Sequence, residues 1–85
     1  MKEFNYVIKD EIGMHARPAG ELVKYVTELT SKVTVSKGEK TVEANRLFGI
    51  MGLAIKCADT ITFKVEGENE ESETLALEEF CAKNF

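Results

Sequence analysis

The sequence predicts an α+β fold in which helices cover one face of an antiparallel sheet. Segments with alternating apolar residues and segments with apolar residues every three or four positions follow each other in the order β-α-β-β-α-β-α. This order favours four antiparallel strands with three helices packed against them. At 85 residues the chain is long enough for one core and too short for two, so we expect a single domain over residues 1–85.

The first strand and the first helix have the clearest patterns. Phe4, Tyr6 and Ile8 alternate in a predicted strand over residues 3–9. A helix is predicted over residues 16–28. Its apolar stripe consists of Ala19, Leu22, Val23, Val26 and Leu29.

The middle of the chain predicts a hairpin and a short helix. Val33 and Val35 mark the second strand, residues 37–40 form a hairpin turn, and residues 41–43 form a short third strand. A second helix is predicted over residues 46–53, where more positions are apolar than one buried face requires. Some of these side chains should therefore be exposed, and exposed apolar groups mark an interaction surface.

A fourth strand and a third helix follow. Ile61, Phe63 and Val65 alternate as in a strand with one buried face. Asn69 is the predicted cap of the last helix, and glutamates fill the first turns, where the helix dipole favours negative charge. Leu77 with Phe80 or Cys81 should form the apolar side of this helix, and we interpret the glutamates as a solvated face.

Composition excludes several classes of protein. The chain is 44% hydrophobic and carries a net charge of −4, which argues against non-specific nucleic-acid binding. No apolar run approaches the roughly 18–20 residues of a membrane span, and no signal peptide precedes the first strand. Cys57 and Cys81 lack metal-ligand spacing, so we expect two free thiols in a reduced cytoplasm and no metal site.

The most informative stretch lies where the first strand leads into the first helix. Residues 13–20 read Gly-Met-His-Ala-Arg-Pro-Ala-Gly and contain the only histidine and the only proline of the chain. Proline fits the first turn of a helix because its missing N–H is not needed there. Pro18 therefore lies just inside the helix, and His15 lies at or beside the N-cap.

The residues at this junction suit a phosphoryl group. The first N–H groups of a helix lack intrahelical partners and carry the positive end of the dipole, which favours phosphate. A neutral imidazole is available as a nucleophile near neutral pH, and the guanidinium of Arg17 offers a forked set of donors. A merely solvated His15, or an anion site without covalent chemistry, stays open on these residues alone.

The stretch Gly-Met-His-Ala-Arg-Pro-Ala resembles the active-site signature of the HPr family, the histidine-containing phosphocarriers of the bacterial phosphoenolpyruvate-dependent sugar phosphotransferase system. The likeness extends over the whole chain in length, element order and motif position. It implies an open-faced β-sandwich in which His15 accepts a phosphoryl group on Nδ1 from enzyme I and passes it to enzyme IIA domains of sugar permeases. Arg17 and the helix start formed by Ala16, Arg17 and Pro18 would stabilise the transferring charge.

The same resemblance implies a cytoplasmic, monomeric carrier rather than a stand-alone catalyst, with no cofactor. Two alternatives remain. One is a regulatory binding module related to HPr that docks on a transcription factor or an enzyme, although such a module need not keep His15 and Arg17 together. The other is a carrier of the nitrogen-related branch of the phosphotransferase system.

In HPr-like proteins the second helix supplies the hydrophobic part of the docking surface. The resemblance implies that Leu47, Phe48 and Met51 contact partner proteins, joined by Met14. Methionine suits such a surface because its flexible thioether adapts to different partners.

The chain departs from the family pattern at three positions. Arg46 replaces the regulatory serine at the start of the second helix, which puts that regulation in doubt. Ala54 and Ala58 replace glycines in the following loop. We expect these two replacements to affect the loop conformation near the site without removing a group that phosphoryl transfer needs.

Overall fold

A computed structural model describes all residues from 1 to 85 and contains four strands and three helices in the predicted order. The sheet is antiparallel throughout, with strand order β1-β4-β2-β3. The predicted α+β fold is therefore confirmed. The elements are β1 (Lys2–Val7), α1 (Ala16–Thr27), β2 (Lys32–Lys37), β3 (Lys40–Glu43), α2 (Leu47–Gly52), β4 (Thr60–Glu66) and α3 (Glu70–Asn84).

The centre of the core is the helix-facing side of β4. Ile61, Phe63 and Val65 are fully buried, as their alternation predicts, and the aromatic ring of Phe4 stacks on Phe63 with centroids 5.2 Å apart. Truncation of Phe63 to alanine would cost about 3–5 kcal/mol because it would leave a large cavity at the centre of the fold.

The opposite side of the sheet is polar, which leaves it open to water. Thr62 pairs with Asn5 across the β1–β4 ladder, with Oγ1 and Oδ1 2.7 Å apart. Lys64 faces Glu3 at 3.8 Å in the same ladder. An apolar inner side and a polar outer side confirm the open-faced arrangement.

The β2–β3 hairpin turns over two residues, as the sequence predicts. Lys37 pairs with Lys40, which leaves Gly38 and Glu39 as the loop. Gly38 has a φ of +61°, and a positive φ at the first loop position is the requirement that glycine meets in two-residue hairpins.

The start of α3 is anchored differently from the prediction. Asn69 occupies the N-cap position, but its side chain makes no capping bond and its Nδ2 donates to Thr30 Oγ1 instead. Glu73 is no solvated glutamate, because its carboxylate accepts hydrogen bonds from the backbone N–H groups and hydroxyls of Thr30 and Ser31. These bonds tie α3 to the segment between α1 and β2.

The two cysteines are not bonded to each other. Cys57 is exposed in the segment between α2 and β4, and Cys81 is buried in α3. Burial raises the pKa of the Cys81 thiol to about 12, so this group stays protonated at neutral pH. None of the three helices has the length and apolar character of a membrane span.

Candidate functional site: the junction of β1 and α1

His15 is the N-cap of α1, as predicted. Its backbone is extended (φ −89°, ψ −172°), and its carbonyl accepts the first hydrogen bond of the helix from Ala19 N–H at 3.0 Å. Pro18 lies in the first turn and is buried. The sequence placed the helix start correctly because proline restricts where a helix can begin.

The helix start leaves two donors free immediately after His15. The N–H groups of Ala16 and Arg17 have no hydrogen-bond partner, no side chain caps the helix, and Pro18 has no N–H. The imidazole of His15 is half-buried, and neither ring nitrogen makes a hydrogen bond. A nucleophilic nitrogen and two unpaired donors thus belong to adjacent residues at the positive end of a helix dipole.

Arg17 lies on the exposed side of α1. Its Nη1 is 3.4 Å from Glu21 Oε1, in an ion pair between side chains that are 73% and 44% exposed. Exposed pairs of this kind contribute only about 0.2–1 kcal/mol. The only side-chain hydrogen bond of the Arg17 guanidinium is this exposed one to Glu21, which a stronger anionic ligand can replace.

The residues before His15 pack closely against the segment between α2 and β4. Gly13 has a φ of +80°, and a Cβ at this position would lie 2.6 Å from the Ile55 carbonyl oxygen. Met14 N–H donates to the same oxygen at 3.0 Å. Only glycine allows this approach, so Gly13 and the Met14 bond fix the chain immediately before the N-cap.

Met14 does not lie on the surface, contrary to the expectation that it joins the docking residues. Its side chain is only 6% exposed and belongs to the hydrophobic core. The reason is the close packing just described, because the bond to the Ile55 carbonyl holds this residue inside the fold. The sequence around Met14 does not indicate whether this apolar side chain points into the core or to the surface.

The second helix exposes part of its apolar surface, as predicted. Phe48 is 85% exposed and Met51 is 40% exposed, whereas Ile50 is fully buried. Leu47 is half-buried and packs against the core, so it offers a smaller area to a partner. Contact of these side chains with other proteins stays a prediction.

Arg46 is the N-cap of α2 and pairs with an acidic neighbour. Its Nε donates to Glu43 Oε2 at 3.0 Å, and no side-chain bond caps the helix. The hydrogen bond and charge of Arg46 lower the pKa of the Glu43 carboxyl. The carboxylate offsets the unfavourable placement of a cation at a helix start, an interaction that the sequence pattern did not reveal.

The two alanines between α2 and β4 have a backbone conformation that glycine favours. Ala54 has a φ of 53° and Ala58 a φ of 74°, and no other residue except glycine has a positive φ. Side chains with a Cβ are disfavoured in this region by about 1–2 kcal/mol. Ala54 and Ala58 therefore carry backbone strain in this loop, and an effect on the loop conformation relative to glycine stays a prediction.

Lys37 and Asp59 were missed by sequence reasoning, although they stabilise this same loop. Lys37 Nζ lies 2.8 Å from Asp59 Oδ2 and 2.6 Å from the carbonyl oxygen of Ala54. Hydrogen bonds from Lys37 and from the Lys56 N–H lower the pKa of Asp59. The two partners are 22 residues apart in the sequence, and no local pattern connects them.

These features define a class of protein: a small open-faced sandwich that carries an accessible histidine at the start of its first helix. Comparison with known proteins agrees. Residues 2–83 match the family described as the PTS HPr component phosphorylation site. The chain therefore belongs to the HPr family of the phosphotransferase system, and the recognition made from residues 13–20 is confirmed.

Individual relatives support the assignment over nearly the whole chain. A phosphocarrier protein HPr of Lysinibacillus sphaericus is 39% identical over 77 residues, which cover 91% of this chain and 88% of the relative. An HPr-like protein Crh of Halalkalibacterium halodurans is 36% identical over 98% of this chain and 99% of its own length. The crystal structure of HPr-C-His from Thermoanaerobacter tengcongensis superimposes with a TM-score of 0.92, at 34% identity, covering 100% of this chain and 96% of that one.

Proposed function

We propose that this protein is a phosphocarrier that accepts a phosphoryl group on His15 from phosphorylated enzyme I and passes it to enzyme IIA domains of sugar permeases. The observation that carries the proposal is the N-cap position of His15, with both ring nitrogens free and two unpaired N–H groups directly after it. Relatives of this chain bear the name phosphocarrier protein HPr, which supports the same function.

The transfer is an exchange of one nitrogen–phosphorus bond for another. The lone pair of His15 Nδ1 attacks the phosphorus of the phosphohistidine on enzyme I, and the bond to the donor nitrogen breaks as the new bond forms. In delivery, a histidine nitrogen of the IIA domain attacks the phosphorus, and the bond to His15 Nδ1 breaks as the new bond forms. No water and no cofactor enters, so the task of the site is to hold the phosphoryl oxygens.

Two kinds of donor in this chain can hold those oxygens. The N–H groups of Ala16 and Arg17 are unpaired and lie at the helix start. The Arg17 guanidinium would exchange its exposed Glu21 contact, worth about 0.2–1 kcal/mol, for a charge-assisted bond to phosphate, worth about 1.5–3 kcal/mol. The exchange is favourable, so phosphorylation needs only a side-chain movement and no refolding.

Partner docking completes the proposed function. Phe48 and Met51 on α2 would contact enzyme I and the IIA domains, with a smaller contribution from Leu47. The carrier would act in the cytoplasm as a monomer, without a metal or cofactor. Dimers are known from structures of HPr of Thermoanaerobacter tengcongensis and of Crh of Bacillus subtilis, so sedimentation should test the monomer separately.

A regulatory module is the second candidate, and one observation favours it. The Crh relative matches almost the whole chain at 36% identity, close to the 39% of the HPr relative. Retention of His15 and Arg17 together favours the carrier, because a module that only docks needs neither group. A carrier of the nitrogen-related branch would use the same chemistry with a different acceptor.

The test is phosphorylation followed by intact mass. Enzyme I and phosphoenolpyruvate should add one acid-labile phosphoryl group to the parent chain and none to His15→Ala. Circular dichroism of His15→Ala should show an unchanged fold, since the ring makes no hydrogen bond that the fold needs. Phosphorylation of the alanine variant, or none of the parent, would contradict the proposal.

A further inference from the structure

We propose that Lys37 is a positioning residue, which acts through the loop at residues 53–59 to hold the backbone before His15 in its phosphate-accepting geometry. This inference rests on the function proposed above and assigns a role to a residue outside the β1–α1 junction. We call the bonded pair Lys37–Asp59 the latch. The Lys37 ammonium group bonds to two residues of the loop that are five positions apart. Its Nζ lies 2.6 Å from the carbonyl oxygen of Ala54 and 2.8 Å from a carboxylate oxygen of Asp59.

The latch closes the loop at its two strained positions. Ala54 itself has a φ of 53°, and Ala58, with a φ of 74°, is the residue directly before Asp59. Left-handed alanines favour opening of the segment that contains them, since the unfolded chain is free of this strain. A single cation bonded beside both of them opposes that opening.

The closed loop in turn holds the residues before the histidine. Ile55 lies between the two ends of the latch, and its carbonyl accepts the Met14 N–H at 3.0 Å. Gly13 packs against the backbone of Ile55 and Lys56 at a distance that would exclude a Cβ. The path from the latch to His15 thus runs through one loop carbonyl and one backbone bond.

The latch is partly shielded from water, which strengthens its charged bonds. The side chains of Lys37 and Asp59 are 30% and 29% exposed, well below the other side-chain ion pairs of the chain. Asp59 Oδ2 also accepts the Lys56 N–H at 2.8 Å, which closes the turn inside the loop. A charged bond to a carbonyl and a carboxylate in a partly buried place is stronger than an exposed pair.

The experiment is hydrogen exchange of the Met14 amide in Lys37→Met, which keeps the length of the side chain and removes its charge. Exchange at Met14 should become about tenfold faster, because one charge-assisted bond then no longer opposes local opening. Exchange at Ala44, whose N–H bonds to the Val33 carbonyl at 3.0 Å away from the loop, should stay within twofold of the parent. Lys40→Met is the matched control, since Lys40 faces Lys37 across the hairpin and makes no ion pair.

The rate of phosphorylation separates positioning from stability, and a second substitution tests the role of strain. Lys37→Met should lower the maximal rate of phosphorylation by enzyme I with KM unchanged, and Lys40→Met should lower neither. Adding Ala58→Gly to Lys37→Met should recover thermal stability and slow Met14 exchange toward the parent rate, because it removes strain that favours opening of the loop.

Several results would overturn the proposal. Unchanged exchange at Met14 in Lys37→Met would do so, as would an equal increase at Met14 and Ala44, which reports only global unfolding. Faster Met14 exchange in Lys37→Met with an unchanged maximal rate of phosphorylation would reduce the latch to a stabilising contact. Met14 exchange that stays fast after Ala58→Gly is added would exclude strain as the cause of loop opening. Failure of the parent chain to accept phosphate would contradict the proposed function, while the exchange data would still decide whether the latch holds the loop.

Discussion

Replacing Ala58 with glycine should stabilise the protein, although glycine usually destabilises. Ala58 has a φ of 74°, and its N–H donates to the Ile8 carbonyl at 2.8 Å, so the surrounding structure holds it in the left-handed region. An alanine there is disfavoured by about 1–2 kcal/mol, whereas glycine adopts this conformation freely. The backbone hydrogen bond to Ile8 is retained in the variant.

The net gain follows from two opposing terms. Relief of strain contributes about 1–2 kcal/mol, and the greater freedom of glycine in the unfolded chain removes about 0.5–1 kcal/mol. With the middle of each range, the free energy of unfolding should therefore rise by about 0.75 kcal/mol. In a domain of this size that corresponds to an increase in Tm of about 3–6 °C.

Urea and thermal unfolding followed by circular dichroism would measure this change. Ala76→Gly is the matched control, because Ala76 is an exposed alanine inside α3 and the same substitution there should cost about 1 kcal/mol. Opposite signs for the two variants would confirm the strain. A Tm for Ala58→Gly equal to or below that of the parent would refute it.

Four further outcomes are expected. Arg17→Lys should slow phosphoryl transfer by an amount that corresponds to about 1–3 kcal/mol, with Tm nearly unchanged, because the exposed side chain loses its planar fork but keeps its charge. Transfer rates equal to those of the parent chain, with both enzyme I and the IIA domain, would count against a role for the guanidinium. Phe48→Ala should weaken enzyme I binding in calorimetry without unfolding the domain, since the ring is 85% exposed. Arg46→Asp should slow phosphorylation by enzyme I at low salt, where charge effects are largest, and equal rates would exclude an electrostatic role. Glu73→Gln should be about 1–2 kcal/mol less stable at pH 7 in urea titrations. Burial raises the pKa of Glu73, but the bonds from Ser31 and Thr30 outweigh burial and hold the pKa below its ordinary value, so the deficit should shrink as acid protonates this carboxylate, and a pH-independent deficit would contradict this.

The fold and the nucleophile could be predicted because both depend on local patterns. Alternation located β4, where Ile61, Phe63 and Val65 are buried as expected. Pro18 located the start of α1 and thereby the N-cap position of His15. The ends of the strands and helices for which bounds were predicted differ from the structure by only one or two residues.

Features that depend on residues far apart in the sequence could not be predicted. Met14 is buried because a loop some 40 residues later accepts its N–H, and nothing near it in the sequence indicates this. Glu73 looked like one more surface glutamate until the fold brought it to Ser31. The latch between Lys37 and Asp59 belongs to the same class of tertiary contact.

Delivery of the phosphoryl group tests the central proposal most directly. Phosphorylated parent chain is isolated from enzyme I and phosphoenolpyruvate and then mixed with an enzyme IIA domain, and the intact masses of both proteins are followed with time. A carrier predicts that the phosphoryl group leaves His15 and the IIA domain gains it in equal amount. Retention on His15, or loss to water with no gain by the acceptor, would contradict the carrier function and favour a regulatory module.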